Sequence, residues 1–336
     1  MPKPRLKPVS EQVVVLMGAS SGIGRLAATR FAERGARVVV AARSGSALDS
    51  LVDEIRAAGG SATAVVADVT DPEQVRAVAD RAVQEHGRLD TWIHLAAVAL
   101  FAPFEQTTPQ EFERVLKVNL LGQVHGAWAA LPHLRERGGA FISVTSMGAR
   151  RSVPLQSAYC SAKHGVDGFL ETLRMEVQRE RLPVSITNVL PATVNTPLFD
   201  QSRTKIGVKP TAPPPVYPPS VVVDALLFVA EHPRRDLVVG GAAKALIVGQ
   251  QLSPRLLDAL MVRVGFEAHD TGEAKPQSAP DNLDAPLEGV AQVEGSLRSM
   301  VRQRSAYTWL QLHPFVRLSL LGAGALLVRT AARGRR

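Results

Sequence analysis

Between Val13 and about Gly249 the chain alternates short apolar runs with longer amphipathic stretches. The runs VVVLM, RVVVAA, TAVVA, TWIHLA, AFISVT and VSITNVL are rich in β-branched residues and mostly apolar on both faces. Strands covered on both sides of a parallel sheet read this way. The stretches between them repeat at helical spacing. SALDSLVDEIRAAGG carries Leu48, Leu51, Val52 and Ile55 on one face and ends on glycine. DPEQVRAVADRAVQEHG opens on an Asp-Pro cap and also stops at glycine. Strands alternating with helices of that length predict repeated βαβ units: an α/β fold, a doubly wound parallel sheet with helices on both faces.

The pattern stops after about Phe266. Residues 267–294 are polar, with scattered Pro, Gly and Asp, and read as an exposed linker. Residues 295–336 form a tail with a short apolar helix, and residues 1–9 a basic extension, leaving 10–266 as the folded unit.

Charge changes the picture only once it is located. The 336 residues carry a net +8, with 39 basic and 31 acidic side chains. From Gly295 onward there are eight arginines and no acid, so the rest of the chain is neutral. No basic face interleaved with aromatics appears in the body, which argues against nucleic acid as a partner. Cys160 is the only cysteine, so no internal disulfide forms; this fits a reducing, cytoplasmic setting. The histidines show no ligand spacing, and no metal site is expected.

The chemistry begins at VVVLMGASSGIGRLAATRFAERG, where Gly18, Gly22 and Gly24 fall between a strand and a helix. Without Cβ atoms the backbone turns sharply and lets a pyrophosphate approach, while the helix offers its N-terminal dipole and free N–H groups. The spacing is Gly-x-x-x-Gly-x-Gly. Further along, SAYCSAK gives Tyr159 and Lys163 as Tyr-x-x-x-Lys, and Ser146 stands thirteen residues before the tyrosine. KVNLLG supplies Asn119, and LPATVNTP contains Pro191 and Thr196 in a Pro-x-x-Val-x-Thr segment. Together and in this order, from about Ser10 to Gly249, these motifs resemble the short-chain dehydrogenase/reductase family.

That resemblance implies a Rossmann-type, NAD(P)-dependent oxidoreductase with Asn119, Ser146, Tyr159 and Lys163 as its catalytic set. Lys163 would also hold the nicotinamide ribose, and Asn119 would anchor a water relaying protons to Lys163. Gly18, Ser20, Ser21, Gly22, Ile23, Gly24, Ala96, Pro191 and Thr196 would line the cofactor. The residues themselves support the chemistry. Tyr159 and Lys163 share one helix face. A nearby ammonium lowers a phenol from its reference pKa of about 10, and the tuned hydroxyl exchanges a proton with a carbonyl or alcohol oxygen. Ser146 would hydrogen-bond the same oxygen.

At the end of the second strand, Ala42 stands where an acid would take a ribose 2′-hydroxyl, and Arg43 follows. An arginine binds a 2′-phosphate in bidentate fashion, which favours NADP(H) over NAD(H). Asp68 resembles the family's adenine contact, and equally reads as a turn aspartate.

His94-Leu95-Ala96-Ala97 replaces the family's Asn-Asn-Ala-Gly, and Ala192 replaces a glycine. His94 can supply a hydrogen bond in place of asparagine; Leu95 cannot. These departures keep open an alternative, a catalytically weak NADP-binding sensor or scaffold on the same fold. The substrate pocket would be lined by 97–104, 147–157 and 196–219, with Leu100, Phe101, Val153, Leu155, Leu198 and Phe199 suiting an apolar carbonyl or alcohol. The proline-rich KPTAPPPVYPPS would wall it. In the tail, LSLLGAGALLV spans roughly 16 Å as a helix, against about 30 Å of hydrocarbon. It lies on an anionic membrane surface, as a peripheral contact, or packs on the same or a neighbouring subunit of a homo-oligomer; a span would need its flanking arginines to snorkel.

Overall fold

The computed structural model describes residues 4–297, 301–316 and 319. Its strands are β1 (Val13–Met17), β2 (Arg37–Ala42), β3 (Ser61–Val66), β4 (Thr91–His94), β5 (Leu100–Phe101), β6 (Gly139–Val144), β7 (Val184–Pro191), β8 (Arg203–Thr204), β9 (Val208–Pro210), β10 (Asp236–Val239) and β11 (Asp270–Ala274). Seven of them form one parallel sheet in the order β10-β7-β6-β4-β1-β2-β3. The chain runs outward from β1 to β3, then crosses back to β4 on the other side. The crevice at that reversal, outside the carboxyl ends of β1 and β4, is where this sheet type binds ligands.

The first helices are α1 (Gly22–Glu33), α2 (Gly45–Ala57), α3 (Pro72–His86), α4 (Pro109–Leu116), α5 (Gly122–Arg137) and α6 (Ser157–Arg179). They are followed by α7 (Leu198–Gln201), α8 (Pro219–Glu231), α9 (Gly241–Leu252), α10 (Pro254–Leu260) and α11 (Ala306–Leu312). Strand alternation divides the core into two layers. Val14 and Leu16 pack with α1, α2 and α8; Val13, Val15 and Met17 pack with α3, α5 and α6. Leu48, Leu51 and Ile55, the predicted stripe of α2, are buried, each contributing about 1.5–3 kcal/mol. The Asp71 carboxylate caps α3 by accepting from the amides of Glu73 and Gln74, with Pro72 at the first helical position.

All six predicted strands form, and a seventh, β10, was not expected. Its four residues follow His-Pro-Arg-Arg, and its first, Asp236, is tied to Arg174 at 3.2 Å, so no long apolar run announces it. The expected exposed linker also needs correction. Most of its side chains are exposed, but β11 pairs with β9 and Leu283 is fully buried against the α3–α5–α6 layer. The segment then runs back across the carboxyl edge of the sheet. No helix among the described residues is long and apolar enough to cross a membrane. The apolar tail segment 320–328 lies outside the described residues.

Candidate active site

Local constraints shape the glycine loop. Gly18 has φ +89°, and a Cβ there would lie 2.6 Å from the Ala96 nitrogen. A Cβ on Gly24 would lie 2.1 Å from the Gly18 carbonyl oxygen. Both must therefore be glycine for the loop to lie against β4 and α1 as it does. The Ile23 and Gly24 amides, in the first turn of α1, meet no acceptor among the described residues, whereas the Gly22 amide donates to the Gln292 carbonyl at 2.9 Å. Two free amides at a helix N-terminus, beside a backbone cradle closed to any Cβ, suit a pyrophosphate. The residues present fit a dinucleotide.

Behind this cleft lies a second, mainly apolar pocket, and Ile23 and Thr196 line both. Ser146 follows β6, its Oγ accepting from the Gly148 amide at 3.0 Å. Tyr159 sits in the first turn of α6 and Lys163 one turn on, its Nζ 5.5 Å from the phenol ring centre. Lys163 is 1 % exposed and donates to the Val144 carbonyl at 3.3 Å. The structure brings Ser146, Tyr159, Lys163 and Pro191 together on the apolar pocket. α6 is held there by Arg150 paired to Asp167 and by Arg174 paired to Asp236.

The electrostatics differ from the sequence expectation. Burial pushes the Tyr159 phenol up to about 12, against a hydrogen bond with Ser146 that lowers it. Burial brings the Lys163 ammonium down to about 8. Desolvation therefore outweighs the Ser146 hydrogen bond, and the protein by itself holds the phenol protonated at neutral pH.

Asn119 lies in a π-helical turn, Lys117–Leu121, between α4 and α5. Its Nδ2 donates to the Val98 carbonyl at 2.8 Å and its Oδ1 accepts from the Val98 amide at 2.9 Å. The side chain thus clamps the loop after β4 and lines neither pocket. A π-turn in this position widens the helix where it approaches the site.

At the other end of the cleft, Ser20, Ser21, Arg43, Asp68 and Ala96 line one wall. The Asp68 carboxylate is occupied: it accepts from the Thr70 amide and hydroxyl, each at 2.9 Å, and pairs with Arg114 at 3.1 Å. Burial would raise its pKa, but those partners hold it below the usual range. This is the turn-aspartate arrangement. Arg43 donates to the carbonyls of Asn282 and Asp284, residues that sequence reasoning treated as linker.

His94 does not replace the asparagine. Its ring is fully buried beside Gly126, meets no hydrogen-bond partner among the described residues, and lines neither pocket. Burial, then the positive charge of Lys163, lowers it to about 3, so it stays neutral. The apolar pocket takes Phe101, Val153, Leu198 and Phe199 as expected, but not Leu100 or Leu155. Ala212 and Pro213 of the proline-rich segment wall it, and His269 joins from beyond the expected folded unit. His269 is 1 % exposed, hydrogen-bonds the Thr211 carbonyl at 2.7 Å and meets Phe101 edge-on. No spacing in the sequence pointed to it.

A doubly wound sheet with a glycine-lined crevice and a Ser-Tyr-Lys pocket at its carboxyl edge defines a nucleotide-binding oxidoreductase architecture. Residues 12–207 match the family model described as short chain dehydrogenase, and the chain belongs to that family. It is 37% identical over 337 residues to the uncharacterized oxidoreductase YxnA of Bacillus subtilis, across 99% of this chain and 94% of that one. It is 34% identical to versicolorin reductase stcU of Emericella nidulans, over 56% of this chain and 71% of the relative. Among solved structures, the fold matches an alcohol dehydrogenase from Thermococcus sibiricus complexed with 5-hydroxy-NADP. That match has TM-score 0.60, 24% identity, and covers 68% of this chain and 95% of that one. A short chain dehydrogenase/reductase from Burkholderia phymatum in complex with NAD matches with TM-score 0.66 and 23% identity, over 76% and 97%. The last two likenesses are of fold.

Proposed function

We propose that this oxidoreductase interconverts a carbonyl and an alcohol using NADP(H), with Tyr159 as the general acid/base. The observation that carries the reading is the junction of the two pockets, where Ser146, Tyr159 and Lys163 border an apolar chamber opening onto the glycine loop. A nicotinamide cofactor, when bound, supplies or accepts the hydride. Ser146 orients the substrate oxygen, and the phenol, protonated at neutral pH, donates to it during reduction. Lys163 fixes the phenol and the ribose side of the cleft, while Asn119 positions the loop carrying Val98. Arg43 favours the 2′-phosphate of NADP(H). The apolar lining suits an apolar substrate. Exposed Trp128 on α5 and Met175 on α6 suit contact with a second copy of the chain.

A screen of ketones, aldehydes and alcohols followed by NADPH absorbance tests this reading. Tyr159→Phe is expected to cut turnover by about 10²–10⁴-fold while leaving NADPH affinity nearly intact, since the phenol acts on substrate. Lys163→Ala should impair both. Retained turnover in Tyr159→Phe would sink the acid/base role. NADPH binding without turnover of any substrate would favour the sensor or scaffold, to which Leu95 and Ala97 point.

A further inference from the structure

The dinucleotide cleft has two walls, and only one belongs to the sheet. Opposite the glycine loop, Asn282, Pro286, Leu287 and Val290 face the same opening. This strap is anchored chiefly by residues outside the cleft. Arg203 donates from Nε to Asp281 at 2.8 Å and from Nη2 to Asp284 at 2.7 Å. Arg114 Nε donates to the Leu283 carbonyl at 3.0 Å, and the Leu283 side chain is fully buried. The Asn282 amide donates to the Gln201 carbonyl, also at 3.0 Å.

What the strap presents to Arg43 is more telling. Its two aspartates are turned onto Arg203, and Glu288 is taken by the Ser46 hydroxyl at 3.0 Å. Arg43 receives only neutral carbonyls, from Nη1 to Asp284 at 3.0 Å and from Nη2 to Asn282 at 2.6 Å. A guanidinium has five N–H donors, so three remain, and although the Asp284 charge acts on Arg43 from a distance, no carboxylate among the described residues forms an ion pair with it. The strap aims the arginine through carbonyls and leaves three of its donors open. It also claims only the Gly22 amide of the glycine loop, leaving those of Ile23 and Gly24.

We propose that residues 281–292 are the outer wall of the dinucleotide site, and that this wall holds Arg43 ready for the 2′-phosphate of an adenosine nucleotide. Arg203 is then a positioning residue, acting through Asp281 and Asp284. The proposal rests on the dinucleotide reading above. A nucleotide slides between wall and sheet; the buried Leu283 and the anchors to Arg114 and Arg203 mark a fixed part of the site, unlike a plug that must leave.

The test is titration calorimetry on the full-length protein with NADPH, NADH and adenosine 2′,5′-bisphosphate. Arg203→Gln, and separately the strap-side double variant Asp281→Asn with Asp284→Asn, remove the same anchors from opposite partners. If one fails to fold, the other carries the test. Expected is a loss of tenfold or more in affinity for NADPH and the bisphosphate, a less than threefold loss for NADH, and faster proteolysis within 281–292. Unchanged affinities with the strap released would overturn the wall. Equal losses for NADPH and NADH would reduce it to a structural brace, and tighter binding would make it a plug. Wild-type protein that binds none of the three probes would instead overturn the dinucleotide reading, and the wall with it.

Discussion

The two walls of the cleft are built by opposite means. The sheet-side loop comes from one contiguous stretch, Met17 to Gly24, and depends on which residues stand there. Gly18 and Gly24 work only as glycines, because a Cβ at either would run into backbone. The outer strap arrives far later in the chain and meets Arg43 through the carbonyl oxygens of residues 239 and 241 positions beyond it. Every residue type carries a carbonyl, so side-chain identity plays no part in that contact. One wall is specified by side chains that are missing, the other by where the backbone is tied.

The sharpest way to break the sheet-side wall is Gly18→Ala. Its positive φ and the 2.6 Å approach to the Ala96 nitrogen leave no room that a side-chain rotation could provide. A cost on the order of 2–4 kcal/mol of stability follows from backbone strain and overpacking together. NADPH binding should be lost with it. Thermal unfolding and calorimetry check both, and a variant as stable as wild type would show that the loop relaxes without cost.

That contrast also explains what was legible in the sequence. Leu48, Leu51 and Ile55 declare a buried face by helical period, and Val13 through Met17 a strand covered on both sides by an unbroken apolar run, because burial selects residue type at each position. Ser146, Tyr159 and Lys163 declared themselves by a spacing that one helix and one strand end convert into proximity. His94 misses the cleft because a strand places successive side chains on opposite faces: its ring goes to the α5 layer, while the next residue, Leu95, lines the cleft. The Tyr159 shift runs opposite to the expected one because spacing reports the neighbouring lysine but not the burial that raises the phenol. His269 and the strap reach the site through β11 pairing with β9, a contact no local window contains.

Where the walls meet, Arg43→Ala sharpens the comparison. If the arginine reads the 2′-phosphate, NADPH should weaken by about 1.5–3 kcal/mol, the range of charge-assisted hydrogen bonds, with NADH hardly affected. Equal losses for both would leave Arg43 as a tether for the strap alone. A wild-type preference for NADH would refute the NADP assignment. Combining Arg43→Ala with the Asp281, Asp284 double variant should cost less than the sum of the two, because both act on one guanidinium.

The smallest effect should come from the far tail, provided the cut is placed correctly. A truncation at Gly289, inside the segment expected as linker, would remove the Gln292 carbonyl on Gly22, the Ser296 contact to Asp200 and the Leu297 amide on Asn195. It would also delete α11, whose Thr308 hydroxyl accepts from the Gly240 amide at 2.9 Å. Cutting after Ser319 spares all of these. It removes Arg329, Arg333, Arg335 and Arg336, taking the formal charge from +8 to +4 by simple subtraction. Both walls remain, so NADPH affinity should stay within about twofold, since every group argued to touch the nucleotide is retained. A larger loss would mean that the tail reaches the site. The same pair of proteins sorts the two readings of the tail. An arginine near an anionic membrane contributes about 1 kcal/mol, screened by salt. A peripheral anchor therefore predicts that the full-length protein binds phosphatidylserine vesicles at low salt, releases at high salt, and loses binding on truncation. A docking segment predicts indifference to vesicles and, on truncation, dissociation of an oligomer followed by sedimentation.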